Sequence, residues 1–311
     1  MEILHGWRNT PERMRGGAIA IGNFDGVHRG HQEVLAQARA FALALGKPSG
    51  AMIFEPHPRA YFQPGQPMFR LTPLEAKLAL LAEQGLDFTA VIPFERTLAE
   101  MPAEDFARTV LADGFSPRRV VVGYDFFFGK GRGGNAASLT EMGVGLGFSV
   151  HTAAPVGGEG EIFSSTRIRE LLAEGDVRGA SAMLGRNWRA RGEVKRGAGR
   201  GTGLGFPTAN IDLEPGQALR HGIYAVFVHV DGATHQGAAY LGPRPTFDDG
   251  APVLEVFLLD FSGDLYGRPM EVEFVAFIRG DGKFKSAEAL SAQMERDCAA
   301  ARAILLDHRR G

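Results

Sequence analysis

Two histidines three residues apart, His28 and His31, sit in the run Gly22-Asn23-Phe24-Asp25-Gly26-Val27-His28-Arg29-Gly30-His31. The run follows a short apolar stretch, Ala18–Ile21, and leads into a segment with apolar residues at helical spacing. Glycines after a strand allow a tight turn and a close approach to a ligand. A helix starting there turns its free N–H groups into the same space, which suits an anion. Imidazoles at i and i+3 share a face and can donate to phosphate oxygens as charge shifts in a transition state. Gly22, Asn23, Asp25 and Gly26 are therefore expected to bind phosphate, with His28 and His31 as catalytic groups. The plain alternative is a capped turn with two surface histidines.

A second set of phosphate-binding types is Ser164-Ser165-Thr166-Arg167-Ile168-Arg169. Hydroxyls at a helix start cap N–H groups and also bind phosphate, and Arg169 adds a permanent fork of donors. His57, between Pro56 and Pro58, can face the same cleft. Phe126, Phe127 and Phe128 form an apolar cluster, read either as core packing or as the wall for a flat aromatic ligand, to which Asp125 can hydrogen-bond. Gly129-Lys130 resembles the end of a P-loop, but Gly131 follows in place of Ser or Thr and the spacing from Gly123 is one too long, so that motif is rejected.

Further along, the stretch 197–205 is rich in glycine, including Gly203 and Gly205, and carries Arg200. Backbone N–H groups of such a loop can cradle phosphates. Thr208 and Asn210 follow, two neutral oxygens with one residue between, on one face if the chain is extended. Hard oxygen ligands suit Mg²⁺, which keeps waters and shares substrate phosphates. Glu255 is the carboxylate inside an apolar run and is a candidate base. A solvated surface position is the alternative, because its face on the strand is not fixed by the sequence.

The elements that position these groups change character along the chain. In the first half, strand candidates at Ala18–Ile21, 51–54, 89–93, Arg119–Gly123 and 148–152 alternate with helical patterns at 33–45, 73–84, 103–112 and 166–173. Thr72, Pro73 and Glu75 read as cap, first helical residue and capping-box partner. This alternation predicts a parallel sheet of βαβ units, with ligands beyond the carboxyl ends of its strands. After about residue 184 the pattern becomes β-rich: strands at Gly222–Val230, 253–259 and 271–277, a turn at Asp231-Gly232, and a closing helix capped by Ser286 with Leu290, Met294, Cys298, Ala301 and Leu305 on one stripe. This predicts a small antiparallel barrel with a terminal helix. The expected domains are residues 1–183 and 184–311.

Length and composition agree. The chain has 311 residues, 44% of them hydrophobic and 23% charged, with a net charge of -2. That is material for about two cores and offers no basic field for nucleic acid. No apolar leader region stands at the start, and no uninterrupted apolar run reaches the ~18 residues of a membrane span, so a cytoplasmic location is expected. Cys298 is the one cysteine, which rules out an intrachain disulfide and a cysteine-built metal site. It is expected to pack in the core. The oligomeric state is left open.

The ordered set of motifs resembles the prokaryotic bifunctional riboflavin kinase/FMN adenylyltransferase (FAD synthetase) family. The set includes Gly22–His31, Phe54-Glu55-Pro56-His57-Pro58, 123–129, Ser164–Arg169, Leu184-Gly185-Arg186 and 205–210. It continues through Gly222-Ile223-Tyr224-Ala225-Val226, Arg244-Pro245-Thr246-Phe247, Leu254-Glu255-Val256 and Tyr266-Gly267-Arg268. The resemblance implies a nucleotidyltransferase-type Rossmann-like domain followed by a flavokinase β-barrel. It implies ATP and Mg²⁺, with riboflavin, FMN and FAD as substrates or products. His28 and His31 match the H-x-G-H motif of the adenylyltransferase, and Ser164, Ser165, Thr166 and Arg169 its second phosphate-binding motif. Thr208 and Asn210 match the kinase motif that handles Mg²⁺ and phosphate, and Glu255 matches its base. The flat ligand expected beside His57, Asp125 and Phe128 is then a flavin. The sequence departs from the family pattern at Phe127, Asn135, Asn187 and Tyr240. A single-activity enzyme, an adenylyltransferase for another phosphate ester and a non-catalytic flavin-binding module are the rival readings.

Overall fold

The structure is a computed structural model that describes residues 1–158, 160–196, 206–213, 216–243 and 252–308. The loop at 197–205, with Arg200, Gly203 and Gly205, and the Arg244-Pro245-Thr246-Phe247 motif lie outside the described residues. The chain divides into two compact units, Met1–Ser165 and Thr166–Gly311.

The first unit opens with β1 (Glu2–His5), β2 (Ala18–Ile21), α1 (Arg29–Leu45) and β3 (Ser49–Glu55). Then come α2 (Pro58–Phe62), α3 (Leu74–Glu83), β4 (Phe88–Pro93), α4 (Arg96–Ala99) and α5 (Ala103–Asp105), which runs on as a π-helical stretch, Phe106–Asp113. Strand β5 (Arg119–Gly123) leads to a small hairpin, β6 (Phe127–Phe128) and β7 (Gly134–Asn135), and to α6 (Ala136–Leu146) and β8 (Ser149–Ala153). The strand pair β9 (Gly157–Gly158) and β10 (Glu161–Ile162) completes the unit.

Six strands form one parallel sheet in the order β1-β4-β3-β2-β5-β8. Both faces are covered, which is why β2 reads as an unbroken apolar run and is buried at every position. One face packs on Phe88, Phe106 and Phe115. The other packs on α1 and α3 through Leu35, Ala38 and Leu81. After β2 the chain winds to β3 and β4 on one side, then crosses to β5 on the other. That reversal is the topological switch point, where open α/β sheets bind ligands beyond the carboxyl ends of their strands. Gly22 and Tyr124 follow the two strands that flank it.

In the second unit, α7 (Ser165–Glu174) and α8 (Val177–Leu184) precede six strands: β11 (Arg189–Lys195), β12 (Ala209–Asp212), β13 (Gly222–Val230), β14 (Ala233–Pro243), β15 (Pro252–Leu258) and β16 (Pro269–Arg279). All pairs are antiparallel and close into a barrel in the order β11-β12-β15-β14-β13-β16, with β16 paired back to β11. The helix α9 (Ala287–His308) covers part of the outside: Ala301 and Leu305 pack on Ala225, Phe227, Ala238 and Val275. Tyr224, Val226 and Val228 alternate with these residues and fill the interior. Ser286 Oγ accepts from the Ala289 N–H at 3.2 Å, as expected of the cap. Cys298 is half-buried beside the same cluster; burial, with the neighbouring Asp297 carboxylate, pushes its thiol up to about 11. It is a packing residue.

Several sequence expectations change. Thr72 does not cap α3, which starts at Leu74 after Pro73. The Thr72 hydroxyl accepts from the Gly26 N–H at 3.0 Å and bonds the Asp25 carboxylate at 3.3 Å, so it is engaged by the 22–28 loop instead. The expected helix at 103–112 is α-helical for one turn only before it widens. Helix α6 is masked in the sequence by Gly143 and Gly145; at Gly143 a Cβ would sit 2.6 Å from the Phe148 carbonyl, so close packing against the following strand selects glycine.

Candidate active sites

In the first unit the 22–28 loop is held in a conformation that most residues avoid. Phe24, Gly26 and Val27 take φ of 48°, 86° and 41°. For Phe24 and the β-branched Val27 that backbone costs energy and persists only where surroundings enforce it. The surroundings are visible. The buried Asp25 carboxylate accepts from the backbone N–H groups of Leu71 and Thr72, both at 3.1 Å, and Ser165 Oγ donates to the Asp25 carbonyl at 2.8 Å. Asp25, expected among the phosphate contacts, thus clamps the loop through its carboxylate.

His28 ends the loop as the cap of α1: its Nδ1 accepts from the His31 N–H at 3.3 Å. An accepting Nδ1 places the proton of the neutral ring on Nε2, which leaves Nε2–H as a donor. The two imidazoles stack with centroids 3.6 Å apart, and Phe24 meets His31 edge-on at 5.3 Å. Gly30 is required beneath them, since a Cβ there would press on the His28 ring at 3.1 Å. Burial lowers the His31 pKa well below the usual histidine range, helped by the nearby His28 and Lys77. His31 Nδ1 and Asn23 Oδ1 are buried without hydrogen-bond partners among the described residues. Unsatisfied buried polar atoms are costly, and here they gather at a helix N-terminus, where an anion is favoured.

The sequence reading missed Lys77. It is buried on α3, between the apolar Leu74 and Leu81, with its ammonium pulled below the usual lysine range chiefly by burial. Asp25 and Glu55 act in the opposite sense. Glu55 pairs with Arg70 at 2.9 Å. A lysine where helical spacing asks for an apolar residue was the available signal.

His57 caps α2, its Nδ1 accepting from the Arg59 N–H at 3.1 Å, and follows β3, the neighbour of β2. Asp125 is exposed just beyond β5, folded back over Gly123. The aromatic cluster divides between the two readings given above. Phe128 is buried against Phe106 at 5.4 Å in the core, and Phe126 stacks on it, also at 5.4 Å. The exposed ring is Phe127, with the Arg132 guanidinium 4.3 Å over it. Ser164 precedes α7; Thr166 and Arg169 continue that helix in the second unit. Asn135 caps α6 in a capping box with Ser138.

A separate cleft of about 500 Å³ opens at the opposite edge of the sheet, lined by Arg13, Arg15, Lys47 and Arg118 just ahead of β3 and β5. Arg15 donates there to the carbonyls of Asp113 at 2.8 Å and Gly114 at 3.1 Å, and Glu2 holds Arg13 at 2.7 Å. These cations sit at helix C-termini, which they stabilise, so the cleft is not counted among the sites.

In the second unit the register settles the face of Glu255. Asn210 is directly opposite Glu255, which is directly opposite Tyr240. Tyr240 shares its strand face with Ala238, which packs on α9 outside the barrel. Glu255 and Asn210 therefore line the outer face, with Thr208 just ahead of β12, and the charge avoids the interior. Asn210 Nδ2 donates to the Thr208 carbonyl at 3.3 Å, which turns Oδ1 away from it. Phe257, two residues beyond Glu255 on the same face, meets Phe206 edge-on at 5.2 Å.

A parallel sheet with a loop and helix start at its switch point stands in one chain with a barrel that displays a carboxylate beside neutral oxygen groups, an arrangement suited to phosphate chemistry. Family models match as FAD synthetase over residues 10–167 and as riboflavin kinase over residues 184–305. The chain belongs to the bifunctional riboflavin kinase/FMN adenylyltransferase family. A relative of that name from Pseudomonas fluorescens is 41% identical over 305 residues, 98% of both chains. One from Haemophilus influenzae is 38% identical over 98% of this chain and 99% of its own. A crystal structure of a protein called macrolide-efflux protein, from Streptococcus pneumoniae, superposes with a TM-score of 0.86 at 27% identity, covering 97% of this chain and 99% of that one. Among the described residues no helix is long and apolar enough to cross a membrane.

Proposed function

We propose that the two reactions of the family are divided between the two units, with adenylyl transfer at the His28–His31 loop and phosphorylation on the outer barrel face around Glu255. As a member of the family, the chain phosphorylates riboflavin to FMN and joins FMN to an adenylyl group from ATP, giving FAD and pyrophosphate. The observation that carries the division is that the stacked histidine pair and the Asn210–Glu255 pair belong to different compact units. The proposed boundary between the activities lies just before residue 184, where the riboflavin kinase match begins.

In the kinase reaction the riboflavin 5′-hydroxyl attacks the γ-phosphorus of ATP, the bond to the bridging oxygen breaks, and ADP leaves. Glu255 accepts or orients the hydroxyl proton. The contribution of such a site is mainly position and charge. Thr208 and Asn210 would hold Mg²⁺; these neutral oxygens suit a hard cation that keeps waters and substrate phosphates. An ion held there would supply charge neutralisation to the phosphates. The expected phosphate contacts of Gly203 and Gly205 belong to this reaction.

In the second reaction an oxygen of the FMN phosphate attacks the α-phosphorus of ATP and pyrophosphate departs. That oxygen is already ionised, so no strong base is needed. His28 through Nε2–H and His31 stabilise the charge on the phosphates. The 22–28 loop anchored by Asp25, through Gly22, Asn23 and Gly26, and with Ser164 and Ser165, positions the nucleotide. His57, Asp125 and the edge of the Phe126–Phe128 cluster take the flavin. A cytoplasmic location is part of this reading.

Incubation with riboflavin, ATP and Mg²⁺, with the flavins separated by chromatography, tests it. FMN should appear first and FAD later; a chelator should abolish both and Mg²⁺ restore them. Full activity in chelator, or riboflavin bound without turnover, counts against the reading.

A further inference from the structure

The barrel register carries more than the base and its neighbour. Consecutive cross-strand pairs run Asn210–Glu255, Glu255–Tyr240, Tyr240–Ile223 and Ile223–Arg279. Residues paired directly across strands project to one face with Cβ atoms about 4.5–5.5 Å apart. The row therefore crosses the outer face of β12, β15, β14 and β13 and ends at a register irregularity beside Arg279 of β16, with Asn210 on one side of Glu255 and Tyr240 on the other.

Tyr240 is tied at its far end. Its side chain runs along its own strand over Gly242, where any Cβ would overlap the hydroxyl. The hydroxyl bonds the Asp281 carboxylate, just past the end of β16. Burial, the Asp281 charge and bond, and Glu255 all push the phenol pKa up, so the group stays protonated and donates. Two residues before Asp281, Arg279 forks onto the buried Asp297 of α9 at 2.9 and 2.6 Å, and Gln293 donates to the same carboxylate at 2.9 Å. The segment between β16 and α9 is thus held at its root by the helix and, one step later, by Tyr240.

We propose that Tyr240 is a positioning residue for the phosphorylation: through its bond to Asp281 it latches segment 280–285 against the Glu255 face and shapes the side of the site where the acceptor alcohol enters. The inference rests on the kinase reading of Glu255. The side follows from the row. The base must lie next to the hydroxyl it serves, and the phosphate lies toward Asn210, so the acceptor approaches from the Tyr240 side. Tyr240 touches neither phosphate nor transferred proton; it acts through the segment it holds.

The test uses the full chain and steady-state formation of FMN. Tyr240→Phe and Asp281→Ala should each raise KM for riboflavin about tenfold, the lower end for loss of a hydrogen bond to a charged group, with KM for ATP and kcat changed less than about threefold. The double variant should be no worse than either single one, because both remove the same bond. Thermal melts of all variants should show a cooperative transition, which separates loss of the latch from loss of the fold. Folded single variants with an unchanged riboflavin KM, or a double variant whose effects multiply, would overturn the latch. Glu255→Gln runs beside them: if it abolishes phosphorylation while the Tyr240 variants behave as wild type, only the latch fails. If it leaves phosphorylation intact, the kinase reading fails and the latch falls with it.

Discussion

The two sites are built by opposite means. In the first unit the candidate site lies where the backbone turns: a strand end, a loop with three left-handed residues, and a capped helix start. Side chains such as Asp25 and Thr72 are used to hold the main chain in place. In the second unit the backbone is regular strand, and the site is made by side chains that register brings side by side. A turn-built site depends on local conformation and tolerates little change in its glycines. A register-built site depends on pairings between strands distant in sequence, and each residue can be changed without disturbing the backbone.

The largest separation between the two should come from Glu255→Gln. It keeps the size of the side chain and removes the base, so FMN formation should fall by about 10²–10⁴ while FAD formation from supplied FMN persists. A kinase indifferent to this change makes Glu255 a structural residue.

Replacing His28 or His31 by Ala should lower adenylylation by on the order of 10²–10³ and leave phosphorylation nearly unchanged. His28 has a double role, so its variants sharpen the contrast. His28→Asn keeps an acceptor for the His31 N–H and should spare the roughly 1 kcal/mol that loss of a cap costs, yet lose activity as His28→Ala does. Stability by denaturant titration and FAD formation should then part company. If they fall together in both variants, the role of His28 is structural alone.

Dividing the chain tests the comparison at the level of whole units. A fragment from about residue 184 should make FMN and no FAD. A fragment from residue 166 should do the same and be more stable, because α7 and α8 group with the barrel: the Arg220 N–H donates to the Leu172 carbonyl at 3.0 Å, and Arg220 Nη1 to that of Glu174 at 3.1 Å. Each aliphatic side chain left buried is worth about 1.5–3 kcal/mol, so the longer fragment should melt several degrees higher. Equal melting points would show that the two helices add nothing to the barrel, and FAD made by either fragment would undo the division of labour.

The smallest effect is on pH. His31 is held neutral, so below the ordinary histidine range the unfolded chain binds a proton that the folded one refuses. Stability of the free protein should fall as pH drops below about 6.5, by at most ~1.4 kcal/mol per pH unit from this group. His31→Gln should flatten that slope in thermal melts between pH 7 and 5. An unchanged slope places the titration elsewhere.

The same contrast explains what could be read from the sequence. Glycine, histidine and a preceding apolar strand announce a turn-built anion site, because each residue type has a local conformational reason to be there. The parallel sheet, short of its edge strand β1, and the antiparallel barrel followed from pattern, as did the strand Gly222–Val230. The face of Glu255 did not, because a period of two leaves both faces open until the partner strand is known. Lys77 was hidden for a related reason: the Asp25 charge that acts on it lies far away in sequence, and the two come together only in the fold. The partners of the Asp25 carboxylate, the N–H groups of Leu71 and Thr72, lie far from it in sequence and come beside it only in the fold.

The pairing of β11 with β16 has a meaning for how the chain is made. The parallel sheet of the first unit can be completed once β8 has left the ribosome, while the barrel has no closed form until its last strand arrives to meet its first. During synthesis of that stretch the earlier barrel strands have open edges, and unpaired edges invite association with other chains. The interval between β11 and β16 is therefore the most aggregation-exposed period in the life of this protein, and a message truncated within it yields a finished sheet carrying an unfinished barrel.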